Sequence, residues 1–191
     1  MSASWIALLL AAIAVFWALG AYNRIIRLRA HVMRSLQVLA SLWQAQAQAV
    51  GLRLAQFAQG QETQSQWATL DEDALRWRPL ALAARQFLVC LGCLQAKPHL
   101  IAVPDDVASV RAARDIFKAH WQRLQNERED LAGAPVPPDL QQLWAEHELL
   151  SQERLLDYGQ AVHTYHQAIG QFPALLLARL CGFGVTGELS V

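Results

Sequence analysis

The sequence carries no charged side chain before Arg24 and no acidic one before Glu62. It has only three cysteines, too few for a four-thiolate zinc site, and in a domain expected to face a reducing compartment they need form no disulfide. Strict apolar alternation is absent throughout, which leaves no strand candidate. There is no Gly-rich phosphate loop, no Gly-x-Ser-x-Gly elbow and no His-Glu-x-x-His. No Glu-x-x-His pair occurs either, which excludes a four-carboxylate di-iron bundle in its usual form. No catalytic residue, cofactor site or metal site is specified, and an enzyme is not expected.

What is present begins with hydrophobicity. Of 191 residues 54% are hydrophobic, somewhat above the usual soluble range, so apolar sequence beyond an ordinary core must be accounted for. The excess lies in the run from Trp5 to Tyr22, about the length a helix needs to cross the hydrocarbon of a bilayer. Trp5 at one end, with Trp17 and Tyr22 toward the other, places amphipathic rings about 26 Å apart along a helix, close to the two interfaces. A cleaved signal peptide would have its basic residues before the apolar run; here they follow it. Residues 1–23 therefore read as an N-terminal transmembrane anchor.

The formal charge of zero hides an asymmetry. Residues 1–61 carry +5 from Arg24, Arg27, Arg29, Arg34 and Arg53, and the remainder −5. An acidic distal part is repelled by phosphate backbones, so nucleic acid is not an expected partner. The first four arginines sit where a membrane surface should be. By the positive-inside rule they predict a single-pass protein of the inner (cytoplasmic) membrane, with its N-terminus outside and the bulk of the chain cytoplasmic. The same side chains are candidates for headgroup contacts or for orientation alone.

Beyond the anchor, apolar residues recur at three and four. Ile25, Leu28, Val32, Leu36, Leu39, Trp43, Val50, Leu54 and Phe57 form one stripe, with neither Pro nor Gly between Ala21 and Val50, so the anchor helix should continue to about residue 59. Gly60 and the polar residues after it read as a loop. A second helix is expected to start either at a capping box, Thr69 with Glu72, or at Pro79, and to end before Pro98. A third begins at Pro104, with Asp105 and Asp106 favoured by the helix dipole, and carries Val107, Val110, Phe117, Trp121, Leu124 and Leu131 until Gly133, Pro135, Pro137 and Pro138. A fourth runs from Pro138 through Leu140, Leu143, Leu150, Tyr158, Val162, Tyr165, Ile169 and Phe172 to Pro173. The expected fold is all-α: an N-terminal transmembrane helix continuing into an antiparallel four-helix bundle, residues 24–181, with a flexible C-terminal tail at 182–191.

Two candidate sites compete with plainer readings. Cys90 and Cys93 have redox-motif spacing but lie within an apolar helical run, where packing is the simpler role. His163 and His166 are one turn apart and could share a metal with His147 or Asp157, but a satisfied or solvated pair is the simpler role. A metal- or thiol-dependent activity on these pairs is the alternative to a non-catalytic protein. Trp43, Trp67, Trp77, Trp121 and Trp144 suit a core or an interface better than ligand stacking. The terminal Val191 carboxylate is a weak peptide-capture signal.

The ends of the chain resemble a known family. Tyr22-Asn23-Arg-Ile-Ile-Arg-Leu28-Arg29, directly after the anchor, resembles the opening motif of LemA-family proteins. Tyr158-Gly-Gln-Ala-Val162-His-Thr-Tyr165-His-Gln-Ala-Ile169-Gly-Gln-Phe172-Pro173, followed by Gly182-Phe183, resembles their closing motif. The matched stretches cover about a quarter of the chain. The family's basic, proline-containing segment after Leu42 is replaced by Trp43-Gln-Ala-Gln-Ala-Gln-Ala-Val50, and its asparagines after Tyr158 and Tyr165 are Gly159 and His166. The resemblance, that of a divergent member, implies a membrane-anchored, coiled-coil-like helical bundle without known catalysis. It also implies bacterial envelope roles, a neighbouring membrane metalloprotease or magnetosome membranes, and so a scaffold with a protein partner or self-association.

Overall fold

The structure is a computed structural model that describes residues 3–62, 70–96, 104–126, 136–171, 174–181, 183–187 and 189. Among them are five helices and no strand: α1 Ala3–Glu62, α2 Leu70–Gln95, α3 Pro104–Gln125, α4 Pro138–Gly170 and α5 Ala174–Leu180.

Helix α1 has 60 residues and is about 90 Å long. From Trp5 to Tyr22 it buries no side chain, and this is the only helix, among the described residues, that is long and apolar enough to cross a membrane. From Ile25 onward the same helix buries one stripe: Ile25, Val32, Leu36, Leu39, Trp43 and Val50 as expected, with Leu28 half-buried and Ala40, Gln46 and Ala47 added. The expected Leu54 and Phe57 lie outside the described side chains. The helix also continues through Gly60 to Glu62, past the expected loop, because no proline enforces a stop there.

Helix α1 packs along α4, α2 and α5, and α2 packs on α3. A ladder of rings ties the four long helices together. Trp43 meets Phe87 at 6.0 Å, Phe87 stacks on Phe117 at 5.8 Å, and Trp144 meets Phe117 at 5.0 Å and lies nearly parallel to Trp121 at 4.3 Å. Each such pair contributes about 0.5–1.5 kcal/mol beyond the area it buries. An ionic triad closes over the ladder: Arg114 Nη2 donates to both Glu148 oxygens at 3.1 and 3.2 Å, Lys118 Nζ to Oε1 at 2.6 Å, and the Arg114 guanidinium lies 4.7 Å above the Trp43 ring.

The helix boundaries follow local chemistry. Pro104 and Pro138 open α3 and α4, where a missing N–H costs nothing. The Pro137 carbonyl accepts from the N–H groups of Leu140 and Gln141, and the Gln141 side chain donates to Val136 O at 2.8 Å. Pro79 does not open α2 but lies inside it, on an exposed face, a position that ordinarily costs about 3 kcal/mol. The Thr69 cap, Trp67, Pro98, Leu131, Gly133 and Pro135 fall outside the described residues. In α4, Leu150 is exposed and Ser151 is buried in its place; the helical phase puts 151, not 150, in line with buried Trp144, Leu155 and Tyr158.

Candidate functional site

Most of the sequence that distinguishes this chain converges where α1 leaves its apolar run. The Tyr22 ring lies 5.9 Å from that of Phe183, although the two are at opposite ends of the chain. Ile25 and Leu28 of α1 join Tyr158, Val162, Tyr165 and Ile169 of α4 in one core, with Ala178 of α5 and Leu189. Asn23 is exposed; its carbonyl accepts from Arg27 Nε at 3.4 Å. Phe172, Pro173 and Gly182 lie outside the described residues.

Helix α5 is a seven-residue element, Ala-Leu-Leu-Leu-Ala-Arg-Leu, that the periodicity did not disclose. It ends when the Phe183 N–H donates to Ala178 O at 2.9 Å, the long bond of a Schellman-type ending. Within the segment expected as a tail, the described residues 183–187 make three hydrogen bonds to α4. Tyr158 Oη donates to Gly187 O at 2.6 Å, Tyr165 Oη donates to Gly184 O at 3.0 Å, and the Thr186 N–H donates to His166 Nε2 at 3.2 Å. The spacing is a match of two rises: seven helical residues advance about 10 Å, as do three extended ones. Gly187 is required for this approach, since a Cβ there would stand 2.7 Å from Val107 Cβ.

The electrostatics of the junction are basic. Arg24, Arg27 and Arg34 are exposed, with Arg34 Nε on Ala30 O at 3.3 Å, and Arg29 is half-buried. Burial raises the Tyr165 hydroxyl above its ordinary 10.0, and the charge of Arg29 opposes the rise. Tyr165 is therefore a neutral donor at physiological pH.

The histidine and cysteine pairs are not assembled into a site. His163 is exposed and hydrogen-bonded to Gln167 at 2.9 Å, whereas His166 turns to the docked segment. Among the described residues no group of three metal-ligating side chains converges. Cys90 packs on the core and accepts from Gln86 at 3.8 Å; Cys93, expected to pack as well, is exposed because it lies on the outer face of α2. Trp43, Trp121 and Trp144 are buried, and Trp77 is half-buried against the core.

Gln46 and Ser151, polar groups inside the α1 and α4 stripes, were missed by pattern reading, and His147 was considered only as a metal ligand. Gln46 Nε2, His147 Nδ1 and Ser151 Oγ are buried without a hydrogen-bond partner among the described residues. Their only sequence signal is a polar residue at a core-phase position.

No family model, curated protein or solved structure matches this chain.

Proposed function

We propose that this chain is a non-catalytic, single-pass membrane protein whose soluble helices form an antiparallel four-helix bundle that serves as an interaction or scaffold module at the inner-membrane surface. The observation that carries the reading is the change along α1: the apolar window at its start buries nothing, and the same helix then buries a stripe. A fully exposed apolar helix of that length is stable in hydrocarbon and not in water. Antiparallel packing is supported by Arg53, late in α1, bridging Asp139, early in α4, at 3.0 Å, and by Arg29, early in α1, acting on Tyr165, late in α4. A LemA-like assignment is supported by the meeting of the opening and closing motifs at Tyr22 and Phe183. Arg24, Arg27, Arg29 and Arg34 favour a cytoplasmic bundle.

The test combines topology with partner capture. Exposed Cys93 is a native reporter: a membrane-impermeant maleimide should label it only after the cells are opened. Crosslinking in native membranes, read by mass spectrometry, should recover one stoichiometric protein partner or a self-crosslink through the distal bundle. Labelling in intact cells would overturn the orientation. Recovery of neither kind of crosslink would overturn the scaffold role.

A further inference from the structure

A cleft of about 380 Å³ opens at the foot of the bundle. Trp17, Gly20 and Arg24 of α1 line it, with Ala168 and Gln171 at the end of α4 and Ala174 at the start of α5. We propose that this cleft holds the headgroup of an anionic phospholipid, with α5 lying in the membrane interface beside the anchor; the inference rests on α1 spanning the bilayer.

Three observations carry it. The first is level: Trp17 to Arg24 covers about 10 Å of helix, straddling the point where the apolar run ends and the arginines begin, which is the depth of the headgroup layer. The second is charge. Arg24 lines the cleft, Arg27 follows one turn on, Arg179 of α5 is exposed, and none of the described lining residues is acidic. The Trp17 indole and the Gln171 amide add neutral polar groups suited to a glycerol or phosphate oxygen.

The third is the apolar face of α5. Leu176 and Leu180 are 54% and 86% exposed, an arrangement that water disfavours and acyl chains accept. Arg179 between them can lay its methylenes along the acyl boundary and keep its guanidinium among phosphates. Ala174, at the start of α5, shares the cleft with Trp17, Gly20 and Arg24, which sets this short helix at the level of the anchor's last turns. A soluble protein docking there would have to displace the headgroups surrounding the anchor, so lipid is the occupant the position favours.

The experiment uses the full chain in nanodiscs of phosphatidylcholine containing a minority of phosphatidylglycerol, with retained lipid counted by native mass spectrometry after extraction. Wild type should retain one phosphatidylglycerol per chain and no phosphatidylcholine. Gly20→Leu should abolish retention by filling the cleft without changing charge, because a Cβ at Gly20 meets only open space. Arg24→Gln should weaken retention about fivefold, and Arg34→Gln, further along α1, should leave it near wild type. Equal losses for Arg24→Gln and Arg34→Gln, or wild-type retention by Gly20→Leu, would reduce the effect to diffuse surface charge and overturn the site. Complete displacement by excess inorganic phosphate would overturn it in favour of a free-anion site. Carbonate extraction separates the two levels: protein released from membranes refutes the anchor itself, whereas carbonate-resistant protein with no retained lipid refutes the cleft alone.

Discussion

The bundle has two halves built by different means. The distal half packs four helices around stacked rings, Trp43, Phe87, Phe117, Trp121 and Trp144, under a partly buried ionic triad. In the proximal half the long elements are α1 and α4 with only the start of α3, at Val107, and the core is completed by α5 and by a segment that hangs from two tyrosine hydroxyls. The difference teaches that a shortage of helices can be made up by a terminal segment, provided its backbone polar groups find side-chain partners. Helical packing satisfies those groups internally; an extended strand without neighbours cannot.

Four experiments would break or sharpen this contrast. Trp121→Ala should cost about 3–5 kcal/mol by opening a cavity beside Trp144, read as a lower chemical-denaturation midpoint of the detergent-solubilised protein. A loss below 1 kcal/mol would mean that the ladder is not the distal core. Glu148→Ala should cost about 1–3 kcal/mol, because mostly buried Arg114 loses its carboxylate while Lys118, 31% exposed, keeps part of its hydration. The same midpoint reports it, and Glu148→Gln should recover part of the loss.

Effects no larger than these are expected in the proximal half and should stay local. Gly187→Ala should cost about 1–3 kcal/mol by driving a methyl into Val107, and should speed hydrogen exchange in residues 183–189 while exchange in α3 around Phe117 is unchanged. Exchange that accelerates equally in both places would show that the halves are one cooperative unit. The smallest effect is with pH. Burial raises Tyr165, so the folded form holds its proton more tightly than the unfolded chain; the stabilisation is fully present below pH 10.0 and declines as pH rises through the folded value. Exchange of the docked segment measured across that alkaline range should show the decline, and Tyr165→Phe should abolish it.

Legibility in the sequence followed the range of the interactions. The starts of α3 and α4 are set within one turn by Pro104 and Pro138, and the stripe from Ile25 to Val50 is set by helical periodicity, so both could be read directly. The phase of α4 could not be read to a single residue: two adjacent leucines at 149 and 150 outbid Ser151 by composition, and only tertiary packing chose the serine. Cys93 fell to the outer face for the same reason. The candidate site was legible as two motif blocks but not as a place.

The sequence by itself therefore determined the elements whose causes are local or periodic: the uncharged run to Asn23, the basic collar after it, the helical stripes and the proline-marked starts. The tertiary structure alone decided that Tyr22 meets Phe183, that Tyr158 and Tyr165 hold Gly187 and Gly184, and that α1, α4 and α5 line a cleft. Those contacts join residues far apart in the chain, and their free energy comes from burial and hydrogen bonds that exist only once the long helices have set the distance between them.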